Sequence, residues 1–102
     1  AAEMAIGCGR GVEIELASVP IAGSLDDATI AFSESLGRLI VEVNPANQRA
    51  LEKELGAHPG AHVGNVRNDG TFRLIGRDGS PFIEAPVAEL RRAWRGHLEV
   101  VL

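Results

Sequence analysis

One cysteine among 102 residues, Cys8, leaves no partner for an intrachain disulfide, so burial and hydrogen bonding must hold the fold, as is usual in a reducing compartment. No apolar run approaches the roughly 20 residues that a spanning helix needs, and the first residues lack the basic start and apolar middle of a secretory leader. The expected location is the cytoplasm, with no membrane partner. Basic residues are sparse and scattered: ten Lys and Arg stand among fourteen Asp and Glu, for a net charge of -4. A general nucleic-acid surface needs clustered cations against phosphates, so that class of partner is excluded. Repeats, low-complexity blocks and linkers are also missing, and the length fits one domain over residues 1–102 with one core.

What is present sorts into alternating helix and strand signals. Ala1 to Ile6 are helix formers with no Ser, Thr, Asp or Asn ahead of them, which reads as a helix cut in its middle and hence as a fragment of a longer chain. Gly7 to Gly11 end that helix and lead into the strand Val12–Leu16, with Val12, Ile14 and Leu16 on one face and Glu13 and Glu15 on the other. Ser24 or Asp26 caps a short helix through Ala31. Arg38–Val43 alternates as a second strand, and Asn44-Pro45 opens a helix to Leu55 with Ala50, Leu51 and Leu55 on its apolar side. Two Asp-Gly pairs, Asp69-Gly70 and Asp78-Gly79, predict an antiparallel meander over residues 62–84. Pro86 opens a last helix carrying Val87, Leu90, Ala93 and Trp94 on one side, stopped at Gly96, with residues 97–102 as a tail. The expectation is an α+β fold: a single domain with a mixed, mainly antiparallel sheet and helices packed on it.

The densest chemical signal is the turn Phe32-Ser33-Glu34-Ser35-Leu36-Gly37-Arg38, where small hydroxyls, a carboxylate and an arginine gather beside a strand. Ser33, Glu34, Ser35 and Arg38 are the candidate substrate-binding residues. The plainer reading is turn chemistry, with serines capping backbone groups and Gly37 permitting the bend. Other constellations carry less. The glycines at 7–11 follow a helix and open a strand, the reverse of a dinucleotide loop. His58 and His62 have Pro59 and Gly60 between them and no metalloprotease frame, so no metal site is expected. Cys8 lacks companions and reads as a packing residue, no catalytic residue can be named, and Arg91, Arg92 and Arg95 read as a solvated face.

The Ala2–Gly7 helix, the Gly11–Leu16 strand, the Phe32-Ser33-Glu34-Ser35 turn with Arg38, Gly64-Asn65-Val66 and the ending Leu90-Arg91-Arg92-Ala93-Trp94 carry a resemblance. Together they resemble the C-terminal domain of the aminoimidazole ribonucleotide synthase superfamily, and within it the last domain of the phosphoribosylformylglycinamidine synthases. That resemblance implies the fold just described and a part in a purine-biosynthetic ligase. The ligase converts formylglycinamide ribonucleotide, glutamine and ATP to the amidine, ADP and phosphate. It implies no cofactor in this domain, ATP and Mg in the parent enzyme, and as partners the ATP-binding domains of the same parent chain with glutaminase and small accessory subunits. Alone the domain is expected to be inactive. In the family's earlier copy of this domain a Glu-Ser-Gln triplet contacts substrate; Glu34 and Ser35 match it, but Leu36 stands in the glutamine's place and cannot make amide hydrogen bonds. The alternatives are a free-standing module for a phosphorylated metabolite, or the equivalent domain of selenophosphate synthase, thiamine monophosphate kinase or a hydrogenase-maturation protein. The cut helix implies exposed apolar surface, hence a homodimer of the fragment or aggregation.

Overall fold

The computed structural model describes the backbone of residues 1–101 and the side chains of residues 1–96. Four strands form one sheet: β1 (Gly11–Glu15), β2 (Gly64–Arg67), β3 (Thr71–Ile75) and β4 (Pro81–Pro86), in the spatial order β2-β1-β3-β4. β1 runs antiparallel to β2 and parallel to β3, and β3 is antiparallel to β4. The sheet is therefore mixed and mainly antiparallel, as the alternation implied. The register pairs Val12 with Phe72 and Ile14 with Leu74, which sets these four side chains on one face. That face meets α1 (Ala2–Cys8), α2 (Asp27–Phe32) and the start of α4 (Val87–Val101) over a core of Ala5, Ile14, Leu16, Ile30, Phe72, Leu74 and Val87. Leu16 and Ile30 are the largest fully buried side chains, each contributing roughly 1.5–3 kcal/mol by leaving water.

Local chemistry explains the element ends. Gly9 takes φ 71°, and its amide donates to the Ala5 carbonyl, closing α1 in the left-handed conformation that glycine adopts without strain. The Asp26 carboxylate accepts from the Thr29 amide at 2.8 Å and so starts α2. Asn44 accepts from the Ala46 amide at 2.9 Å, and Pro45 opens a 3₁₀ turn leading into α3 (Gln48–Leu55).

Five expectations are corrected. Arg38–Val43 is no strand, because a strand needs a hydrogen-bonded neighbour and none of the hydrogen bonds among the described residues uses the backbone of Leu39–Val43. Leu39 is 87% and Val41 63% exposed there. The meander is split: β1 lies between β2 and β3, so Asn68-Asp69-Gly70 links two strands that are not paired, and only β3 and β4 form a hairpin. The last helix passes through Gly96 to Val101, since one glycine's cost of about 1 kcal/mol is small against a 15-residue helix already nucleated; of the expected tail, only Leu102 lies outside the described residues. Trp94 and Ala93 are exposed rather than packed, because among the described side chains of α4 it is Val87 and Leu90, in its first turns, that reach the core. Cys8 is likewise exposed, not a packing residue.

α3 is amphipathic as expected, but it buries none of its residues, and its main neighbour is the 3₁₀ turn before it. Residues 33–62 consequently stand away from the core. The radius of gyration is 15.0 Å, against about 13 Å for a compact chain of this length.

Candidate functional site

The turn after α2 is built by the helix's own ending. Ser33 caps α2, its amide donating to the Thr29 carbonyl at 3.0 Å. The chain then reverses through Ser35-Leu36-Gly37-Arg38, closed by the Arg38 amide on the Ser35 carbonyl at 3.4 Å. Gly37 at φ 75° supplies the positive φ that such a turn demands. The structure brings three of the four candidate residues together. The Ser33 and Ser35 hydroxyls share a hydrogen bond of 2.8 Å, and the Arg38 guanidinium folds back over the turn. Glu34 is exposed, and no hydrogen bond or ion pair among the described residues uses it.

The guanidinium's partners define what the turn can do. Arg38 Nη2 donates to the Ile30 carbonyl at 2.6 Å and Nη1 to the Ser33 carbonyl at 3.2 Å, so the arginine satisfies carbonyls left open at the end of α2. No base stands against either serine among the described residues, so neither hydroxyl is activated as a nucleophile. Leu36 lies at the tip, fully exposed, where it offers no polar contact. The geometry is a capped turn with surface hydroxyls and an exposed carboxylate, capable of hydrogen bonding.

The open face of the sheet holds a second polar cluster that sequence reasoning did not assemble. Glu13 accepts from Arg67 at 2.6 Å and from Arg73 at 3.1 Å; Arg67 also pairs with Asp69, and Arg73 with Glu84 at 2.9 Å. The five side chains make a ladder of alternating sign across the sheet, and the Glu84 hydrogen bond holds the Arg73 pKa above its ordinary value. The signal was the charged residue between apolar ones at Glu13, Arg73 and Glu84. The missing information was the register that sets Glu13 beside Arg73. A shallow hollow beside the ladder, lined by Glu13, Glu15, His62, Val63, Gly64 and Asn65, brings no metal-binding cluster together among the described residues. His62 instead meets Asn65 at 3.1 Å. Nor are the C-terminal arginines wholly a solvated face, since Arg91 Nη2 donates to the Ile6 carbonyl at 2.7 Å and ties α4 to α1.

Three carboxyls have pKa values held below the ordinary 3.8 by hydrogen bonds: Asp26 by the side chain and then the amide of Thr29, Asp69 by the Thr71 amide, and Asp78 by the Ser80 hydroxyl and then its amide. A carboxyl with a depressed folded-state pKa stabilises the fold fully above its unfolded pKa and loses that contribution as pH falls through the folded value. Stability is therefore expected to be flat from neutrality down to about pH 5 and to fall below about pH 4, as urea titrations across pH will show, with Asp26→Asn flattening part of that fall.

Comparison with known proteins adds a relation. Residues 1–77 match the family described as AIR synthase related protein, C-terminal domain. The phosphoribosylformylglycinamidine synthase subunit PurL of Natronomonas pharaonis is 34% identical over 77 residues, covering 74% of this chain and 10% of that protein. A solved structure, T. maritima PurL complexed with ATP, superposes with a TM-score of 0.78 at 24% identity, over 88% of this chain and 16% of that one, a likeness of fold. The chain thus spans about a tenth of the length of the curated relative it matches.

Proposed function

Because the chain belongs to the family of AIR synthase related proteins, C-terminal domain, we propose that it is the non-catalytic C-terminal part of a purine-biosynthetic ligase. That ligase would convert formylglycinamide ribonucleotide, glutamine and ATP to formylglycinamidine ribonucleotide, ADP and phosphate. The carrying observation is the turn at Ser33–Arg38. It has the family's Glu34-Ser35 pair, yet its arginine is bound to backbone carbonyls, its serines lack a base, and Leu36 replaces the amide-bearing residue. In this reading the turn joins domains rather than reacting, Mg-ATP is bound by other domains of a cytoplasmic parent chain, and glutaminase and small accessory subunits complete the enzyme.

Leu36→Gln in the full-length parent enzyme tests the role of the turn. With the turn outside the substrate site, KM for the ribonucleotide and kcat stay within about twofold of wild type, which is under about 0.5 kcal/mol of transition-state stabilisation. A KM altered tenfold would show that the turn touches substrate. The runner-up, a free-standing module for a phosphorylated metabolite, draws on the hydroxyls and the arginine of the same turn. It predicts saturable binding by this chain alone.

A further inference from the structure

The segment Leu36–Val43, a turn at Leu36-Gly37 followed by residues in no strand, is unusual for a protein surface. Leu36 is fully exposed, Leu39 87%, Val41 63% and Ile40 48%, and Phe32 just ahead is 67% exposed. Five exposed large apolar side chains within residues 32–41 are more than the singly scattered ones of an ordinary monomer surface. The backbone of Leu39–Val43 is also free of hydrogen bonds to other described residues, so the strip carries a row of unpaired donors and acceptors as well as exposed side chains.

The order of residues says what fits it. In Arg38-Leu39-Ile40-Val41-Glu42 the charges sit symmetrically about Ile40, with opposite signs. Antiparallel pairing with an identical segment, about a two-fold axis at Ile40, sets Arg38 of each copy opposite Glu42 of the other. It also sets Leu39 opposite Val41 and Ile40 opposite itself. Arg38 gives two of its five N–H groups to the turn, leaving donors for a carboxylate. Parallel pairing would instead bring like charges together, which is unfavourable.

We propose that this chain forms a homodimer through antiparallel pairing of residues 38–42 of each copy, with Arg38 and Glu42 fixing the register. Sedimentation velocity on the 102-residue chain between about 1 and 100 µM tests it. The expected result is a reversible shift to twice the 10.8 kDa monomer mass. Glu42→Arg, which sets like charges opposite each other, weakens the dimer at least tenfold while the far-UV circular dichroism stays unchanged. Arg38→Glu also weakens it, and mixing the two single variants restores association as a heterodimer, because one strip is then wholly basic at these positions and the other wholly acidic. Should Arg38→Glu disturb the end of α2, Glu42→Gln keeps Arg38 in place and removes only the pairing charge: it must weaken the dimer, and by less than Glu42→Arg does, whereas an equal or absent effect of the two Glu42 variants overturns the charge pairing. A chain that stays monomeric at 100 µM, or a dimer that Glu42→Arg leaves unchanged, overturns the proposal.

Discussion

Replacing Ile30 by alanine is expected to lower the unfolding free energy by about 3 kcal/mol, shifting the urea midpoint while leaving the slope of the transition unchanged. Ile30 is 1% exposed at the centre of α2 and packs into the same cluster as Leu16 and Phe72. Truncation removes three carbons from a place where the sheet behind and the short helix itself restrict collapse. The loss is large for a domain whose whole stability is of order 5–15 kcal/mol. It also has a local reading: the Ile30 carbonyl is the 2.6 Å acceptor for Arg38, so loosening α2 loosens the turn that follows it. Leu39→Ala is the matched control, because a leucine 87% exposed in the monomer adds little to its core. A large loss at Leu39 measured under monomeric conditions would mean that residues 38–43 pack against the body after all.

The second large effect is expected at Gly64. Ile14 pairs with Gly64 across β1 and β2, and a Cβ at Gly64 would fall onto the Glu13 carbonyl and within 2.9 Å of the Ile14 Cα. These are backbone atoms, so no rotamer change relieves the contact. Gly64→Val should separate β2 from β1 and cost about 3 kcal/mol or more. Separation also removes the Glu15 amide bond to the Val63 carbonyl and breaks the charge ladder at Arg67. Hydrogen exchange would then show the β2 amides unprotected while those of β3 and β4 keep their protection. Uniform loss of protection would show instead that the sheet unfolds as one unit.

These two sites show how differently parts of the fold could be read from residues. The faces of β1 were legible because Val12, Ile14 and Leu16 alternate with Glu13 and Glu15, a period that burial enforces. The caps at Asp26 and Asn44 were legible because they act within three residues. Order within the sheet was not. Aspartate-glycine at 69–70 signals a turn, and the Asp69 carboxylate does hold the Thr71 amide at 3.1 Å, yet nothing local shows that β1 inserts between the strands on either side. The alternation of Leu39, Val41 and Val43 has the strand period too, but pairing depends on a neighbour, and the residues at 38–43 have none among the described residues.

The turn itself was found from composition, while its role came from geometry. Serines, a carboxylate and an arginine in seven residues suggest a ligand site. Only the positions of the Ile30 and Ser33 carbonyls show that Arg38 gives two of its donors to the end of α2. Arg91 follows the same pattern, a surface cation that caps the end of a helix. The ladder on the open sheet face was the reverse case, five unremarkable charges that become one network through register.

The central claim is that this domain binds neither the nucleotide nor the ribonucleotide on its own. Isothermal titration calorimetry of the 102-residue chain with Mg-ATP and with formylglycinamide ribonucleotide tests it directly. The account predicts only heats of dilution up to millimolar ligand. Saturable binding with a micromolar Kd for either ligand would contradict it and restore the turn at Ser33–Arg38 as a binding site.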